Sequence, residues 1–242
     1  MNLIIDIGNT RTKLAVFKAD SIVTQTTSVK QNLITAVKKI IDNYPKISNT
    51  IVSSVDSFTE NDEFELRQIT QLTVLSHHLH LPFTNNYATP ETLGVDRIAL
   101  IAAAVKQYPN TNTLIIDAGT CVTYDFKTSN NVYLGGGISP GLTIRYNALH
   151  NLTAKLPQLQ LSNTVHLIGN STESSIHSGV INGLVNEIDG IISQYQKQYP
   201  NLTVILTGGD ANFLAKRLKS SIFANSNFLL EGLNHLLKIN ID

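Results

Sequence analysis

The sequence predicts an α/β protein made of two duplicated domains with a nucleotide cleft between them, and three observations carry that expectation. Leu3-Ile4-Ile5-Asp6 recurs identically as Leu114-Ile115-Ile116-Asp117, a period of 111 residues that is domain-sized rather than solenoid-sized. Each copy runs into a glycine turn and then two further strand-like stretches. The 242-residue chain is 42% hydrophobic and only 15% charged, long enough for two modest cores and too apolar to stay disordered.

The first half opens with a strand over Leu3, Ile4 and Ile5 that ends at Asp6, followed by the turn residues Gly8, Asn9 and Thr10. Alternation from Thr10 to Phe17, then Ser21 to Ser28, completes an antiparallel meander. Leu33, Val37, Ile40 and Ile41 repeat at helical spacing and Pro45 follows the stop. A short apolar run over Thr50 to Ser54, a helix from about Thr59 to Ile69 and a strand over Thr73–Leu75 come next. Pro90 is expected to open a helix whose body is Ile98 to Val105, closed by Pro109 and Asn110.

The second half repeats the plan. Leu114–Asp117, Val122–Phe126 and Val132–Leu134 read as strands, then Gly135-Gly136-Gly137 precedes Ser139 as a cap and Pro140 as a first helical residue. Asn170 and Glu173 have capping-box spacing before an amphipathic helix carrying Ile176, Val180, Leu184, Ile188, Ile191 and Tyr195 on one stripe. Thr203–Leu206 is a buried strand, Thr207-Gly208-Gly209-Asp210 a turn into a helix, and Phe228 to Leu237 a closing helix. The expected domains are therefore 1–109 and 110–242.

Composition narrows the functional classes. Lys+Arg and Asp+Glu both number 18, so no long-range field draws the protein to nucleic acid or to an anionic membrane. A single cysteine, Cys121, makes no intrachain disulfide and reads as a small buried apolar residue. Asp6 interrupts the N-terminal apolar run too early for a signal peptide, and Ile98 to Val105 is far short of the ~20 residues a bilayer needs. These features point to a soluble cytoplasmic protein. His77, His78 and His80 crowd together without a nearby acid and read as a solvated segment rather than a metal site.

Two Asp-x-Gly loops at duplicated places suit a nucleoside triphosphate. Glycine lets backbone amides turn towards phosphate oxygens, the strand-end carboxylates of Asp6 and Asp117 can hold a neutralising cation, and Arg11 and Lys13 share one strand face near the same anions. Taken singly, each loop reads as a plain hairpin turn; the pairing at duplicated positions favours the nucleotide. No Gly-Lys-Ser/Thr loop or protein-kinase signature occurs, which leaves the actin-like and sugar-kinase-like class of nucleotide cleft. Asp96, in Thr92-Leu93-Gly94-Val95-Asp96-Arg97, can accept a hydroxyl proton and Arg97 can fork onto a carboxylate. By local sequence alone the favoured reading is a helix-start acid satisfying amides and a surface ion pair.

The order of Asp6-Ile7-Gly8-Asn9-Thr10, Gly94-Val95-Asp96-Arg97, Asp117-Ala118-Gly119-Thr120, Gly135 to Gly141 and Thr207-Gly208-Gly209 resembles the type III pantothenate kinases over essentially the whole chain. That resemblance implies a homodimer of two ribonuclease-H-like, actin-like ATPase domains per subunit, which phosphorylates the 4′-hydroxyl of pantothenate with ATP on the way to coenzyme A. It implies that Asp6, Ile7, Gly8, Asn9, Thr10, Arg11, Thr12 and Lys13 form the ATP phosphate loop, with Asp6 near Mg²⁺, and that Thr120 is a second nucleotide contact. Asp117 matches a monovalent-cation site for K⁺ or NH₄⁺, Asp96 the proton acceptor, and Tyr87, Gly94, Val95, Asp96, Arg97 and Thr172 the pantothenate contacts. Val95 and Cys121 stand where the family usually has Ala, which removes no reacting group. Partners other than pantothenate, ATP and a second subunit, such as nucleic acid or membrane, are not expected. The competing readings are another hydroxyl kinase or a polyphosphate phosphatase on the same fold, and a non-catalytic filament or regulator that uses nucleotide as a switch.

Overall fold

Alternating apolar residues lay down β1 (Asn2–Ile7), β2 (Thr12–Lys18) and β3 (Ser21–Ser28) as an antiparallel meander in the computed structural model, which describes residues 1–9, 11–29, 32–55 and 58–241. Thr10, expected in the phosphate loop, lies outside the described residues. β4 (Asn49–Ser54) adds in parallel to β1, and β5 (Gln71–Val74) in parallel to β4, giving the order β3-β2-β1-β4-β5. The two-residue period then sorts the strands by face. Leu3, Ile5, Ile7, Leu14, Val16 and Val52 pack under α1 (Leu33–Asn43) and α2 (Glu60–Ile69), and each buried aliphatic side chain contributes roughly 1.5–3 kcal/mol. A full capping box between Thr59 and Asp62 starts α2.

The opposite face lies under α3 (Val95–Gln107) and α8 (Phe228–Lys238). α3 is buried on almost every side from Arg97 to Val105, which its Ile-Ala-Leu-Ile-Ala-Ala-Ala-Val composition allows. Its alanines admit α8 closely: Gly232 sits where a Cβ would collide with the carbonyl of Ala99. Asn234 joins the ends of the layer, accepting from Asn2 Nδ2 at 2.9 Å and donating to the Ala19 carbonyl at 3.0 Å.

The second sheet repeats the first. β7 (Thr113–Ala118) pairs antiparallel with β8 (Cys121–Lys127), β9 (Val132–Pro140) follows β8, and β10 (Thr203–Thr207) and β11 (Phe223–Ala224) add in parallel, in the order β9-β8-β7-β10-β11. The duplication read from the repeated tetrapeptide and the strands that follow it agrees with the order of the strands in the two sheets. Helices α4 (Leu142–Asn151), α5 (Thr172–His177), α6 (Gly183–Gln198) and α7 (Ala211–Ala215) cover the face that carries Leu114, Ile116, Tyr124 and Phe126.

The chain forms two compact units: Met1–Pro109 with Asn131–Tyr133 and Asn227–Asp242, and Asn110–Asn130 with Leu134–Ser226. The first unit's longest segment ends at Pro109, and the closing helix α8 belongs to that unit, its Gly232 packed against Ala99 of α3. A short parallel pair, β6 (Thr84–Asn85) against Val132 and Tyr133, also falls within the first unit.

Several local expectations are corrected. Pro90 opens only a 3₁₀ turn, Pro90–Thr92, and α3 starts after Gly94. Ser139 and Pro140 do not begin a helix: β9 continues through them, and Gly141 precedes α4. The capping box before α5 joins Ser171 and Ser174 rather than Asn170 and Glu173, since a serine side chain reaches back to the cap amide as well. The long helix is interrupted by a π turn at Ser178–Asn182, which shifts the buried stripe onto Ile192 in place of Ile191. Cys121 is exposed, because β8 begins there beyond the cover of the helices. Among the described residues, no helix is long and apolar enough to cross a membrane.

Candidate active site

In the first unit, the end of β1 turns tightly. The Gly8 amide donates to the Arg11 carbonyl at 3.2 Å, closing the loop between Asp6 and Lys13. In the sheet register Asp6 lies opposite Lys13 on β2 and Ser53 on β4, so the three side chains share the face that looks towards α3. Burial pushes the Asp6 carboxyl up to about 6; Lys13 opposes that shift and the carboxylate of Asp96 adds to it. The structure therefore brings Asp6, Lys13 and Asp96 into one electrostatic group. Thr12 points to the other face and is fully buried, its hydroxyl without a partner among the described residues.

The start of α3 holds the second cluster. Asp96 Oδ1 accepts from the Arg97 amide at 2.8 Å, folding the carboxylate back over the first turn, and the space this takes is the space a side chain at Gly94 would need. Arg97 is 5% exposed, so it is no surface ion pair. Its guanidinium lies over the ring of Tyr87 at 5.5 Å from the centroid. Tyr87 stacks on Tyr133 at 6.0 Å, and Phe83 meets Tyr133 edge-on at 6.2 Å. A buried cation supported by aromatic faces and next to a carboxylate is suited to bind the anionic end of a small polar molecule.

The second unit carries the duplicate loop. Asp117 is the last residue but one of β7, the Gly119 amide donates to the Cys121 carbonyl at 2.9 Å, and the Gly141 amide donates to the Thr120 carbonyl at 3.1 Å. Gly208, in the left-handed region at φ 95°, packs against the Ala118 carbonyl and Asp117 Oδ1, and the Asp210 amide donates to Ala118 O at 2.9 Å. Two further glycine-bearing segments, at Gly141 and Gly208, thus converge on the second loop. Behind them Arg145 donates to Pro140 O at 2.8 Å and to Ser139 Oγ at 3.0 Å and pairs with Glu187, which also accepts from Tyr124. Thr172 lies on the wall of an apolar cavity of about 970 Å³ lined by Ile144, Leu149, Leu152, Ile176 and Val180, which Pro140 and Arg145 also border.

A family model described as type III pantothenate kinase matches residues 2–194. The chain belongs to the type III pantothenate kinase family. A relative of that name from Flavobacterium johnsoniae is 49% identical over 242 residues, covering 100% of this chain and 99% of its own. Among solved structures, a Campylobacter jejuni protein described as a candidate Baf family transcriptional activator aligns with a TM-score of 0.65 at 22% identity, over 98% of each chain. A glucokinase from an Antarctic psychrotroph aligns at 0.54 and 14%, again over 98% of each. These distant likenesses show the sugar-kinase type of fold, in accord with the two duplicated sheets.

Within this type III pantothenate kinase, sequence reasoning missed Ser53, Tyr133 and the Arg145–Glu187 pair. Ser53 was detectable only through strand register, which places it beside Asp6; the same register sets Thr207, already part of the Thr207-Gly208-Gly209 motif, beside Asp117. Tyr133 gives no local signal, because its partner Tyr87 is remote in the chain. His77 Nε2 lies 2.7 Å from the Leu93 carbonyl.

Proposed function

We propose that this pantothenate kinase transfers the γ-phosphoryl group of ATP to the 4′-hydroxyl of pantothenate with Asp96 as the proton acceptor. The observation that carries this reading is the joint placement of Asp96 beside Asp6 and beside the buried Arg97–Tyr87 pair. One side of Asp96 is a phosphate-loop carboxylate; the other is a cation suited to a carboxylate-bearing substrate. Arg97 anchors the pantothenate carboxylate, with Tyr87, Gly94, Val95 and Thr172 as further contacts. Asp6, Ile7, Gly8, Asn9, Thr10, Arg11, Thr12 and Lys13 form the phosphate loop, and Thr120 contacts the nucleotide. Thr12 contributes through its backbone, since its side chain faces the core.

Phosphoryl transfer passes through a loose transition state, so positioning and charge neutralisation supply most of the rate. Asp96 accepts the hydroxyl proton as the bond to phosphorus develops, which requires an ionised carboxylate rather than a strong base. The donors fit Mg²⁺: Asp6 is a desolvated carboxylate close to a second one, a combination that a divalent cation relieves. When bound, the metal neutralises phosphate charge. Asp117 holds a monovalent cation, K⁺ or NH₄⁺. The enzyme works in the cytoplasm and as a homodimer, the latter supported by Leu152, Leu167 and Ile168, which are 83%, 80% and 83% exposed in the single chain.

The test is ADP release from ATP with and without pantothenate, in potassium and in sodium. Pantothenate-dependent release supports the kinase; equal release in all four conditions overturns it.

A further inference from the structure

The duplication allows the two strand-end aspartates to be compared position by position. Asp6 pairs in register with Lys13 on the second strand and Ser53 on the parallel neighbour. Asp117 pairs with Thr123 on the second strand and Thr207 on the parallel neighbour. The parallel neighbour is a hydroxyl residue in both copies; the second strand exchanges an ammonium for a hydroxyl. Thr123 Oγ1 is buried and has no hydrogen-bond partner among the described residues. A desolvated oxygen without a donor retains lone pairs for a cation, and leaving it unfilled costs stability.

We infer that the monovalent cation takes, beside Asp117, the place that the strand register gives the Lys13 side chain beside Asp6, with Thr123 Oγ1 among its oxygen ligands. This rests on the reading of Asp117 as the cation's carboxylate and adds the residue that makes room for the ion. The chemistry of the exchange is direct. An ammonium ion is the head group of lysine without its stem, and potassium carries the same single charge and binds hydroxyl and carbonyl oxygens. In one copy the positive charge is therefore built into the chain; in the other it is recruited from solution. Gly208, packed against Asp117 Oδ1 where a side chain would collide, keeps the other flank of the carboxylate free of bulk.

The experiment compares the full-length parent with Thr123→Ser, Thr123→Val and Thr123→Lys, titrating potassium against a sodium background. Two readouts are taken: the thermal unfolding midpoint with ATP and without pantothenate, and thallium NMR as a direct probe of the ion. Thr123→Val is expected to raise the potassium concentration for half effect roughly tenfold, the loss of one interaction of about 1.4 kcal/mol. Thr123→Ser keeps the oxygen and stays near the parent. Thr123→Lys supplies the charge in place, so its midpoint and its turnover no longer respond to potassium and its thallium signal is lost. A parent-like potassium curve in Thr123→Val or Thr123→Lys overturns the inference. Should the lysine variant not fold, the Val and Ser pair decides. A parent with no potassium response and no thallium signal overturns the Asp117 reading and this inference together, and leaves pantothenate-dependent turnover as the separate measure of the kinase.

Discussion

Gly94 and Asp96 compete for one volume: the position of a Cβ at residue 94 is already filled by Asp96 Oδ1. The glycine is thereby required by the acid two residues on rather than by its own backbone, whose φ of −56° suits any residue. Gly94→Ala is expected to drive the carboxylate out of its present rotamer. A displacement of about 1 Å at a reacting group costs up to ~10²-fold, so turnover should fall roughly 10–100-fold while ATP affinity holds. Steady-state kinetics alongside calorimetric ATP binding check this; turnover within twofold of the parent means the placement of Asp96 is not critical.

Asp96→Asn keeps the size of the side chain and one acceptor oxygen but removes the base. Turnover should fall by about 10²–10⁴-fold, the usual span for a general base. ATP binding should survive, because the phosphate loop is built from Asp6 to Lys13. Single-turnover phosphorylation separates the chemical step from binding.

Asp6 gives a pH-dependent stability with a defined sign. Its carboxyl titrates at 3.8 in the unfolded chain and at about 6 in the fold. The folded state holds the proton more tightly, so the contribution to stability is fully present below the unfolded value and is lost as pH rises through the folded one. Asp6→Asn cannot ionise. It is expected to be more stable than the parent near pH 8, by on the order of 2 kcal/mol, and to lose that advantage near pH 4. The same variant should bind Mg–ATP more weakly, since the cost is borne for the ligand. Denaturant midpoints at the two pH values test the sign.

Gly232→Ala adds a methyl group where the carbonyl of Ala99 already lies. Neither partner is the flexible end of a side chain, so α8 must shift. A loss of roughly 1–3 kcal/mol is expected, read as a lower urea midpoint. An unchanged midpoint means that α8 can slide on α3 without cost.

The architecture was legible where it follows from periodicity. Leu3–Asp6 and Leu114–Asp117 announced a duplication because alternation and strand ends are local properties, and the sheet orders agree with it. The segment at Ser139 and Pro140 misled because a proline suits both a helix start and an edge strand. The partner of α8 was illegible, since an amphipathic stripe shows that a face is buried but not what buries it. In the candidate site, Asp6 and Asp96 stood out by residue type and spacing. The burial of Arg97 did not, because guanidinium groups mostly face water and the Tyr87 ring that this one lies against belongs to a separate segment of the chain. Thr123 was silent for a similar reason: a strand threonine is ordinary until the register sets it opposite an aspartate.

The order of synthesis follows from where α8 docks. Everything needed for the first sheet leaves the ribosome early, yet the helix that covers the face of Ala99 and Ala103 is made only after the second unit. At ~5–20 residues per second, that face waits on the order of ten seconds for its cover. During this interval the nascent first unit is an open sandwich with a bare apolar side, which is the kind of surface chaperones bind. The second unit, which contains both of its own ends, can fold while the first is still waiting. A release of the chain short of residue 228 therefore yields one finished domain and one that cannot close.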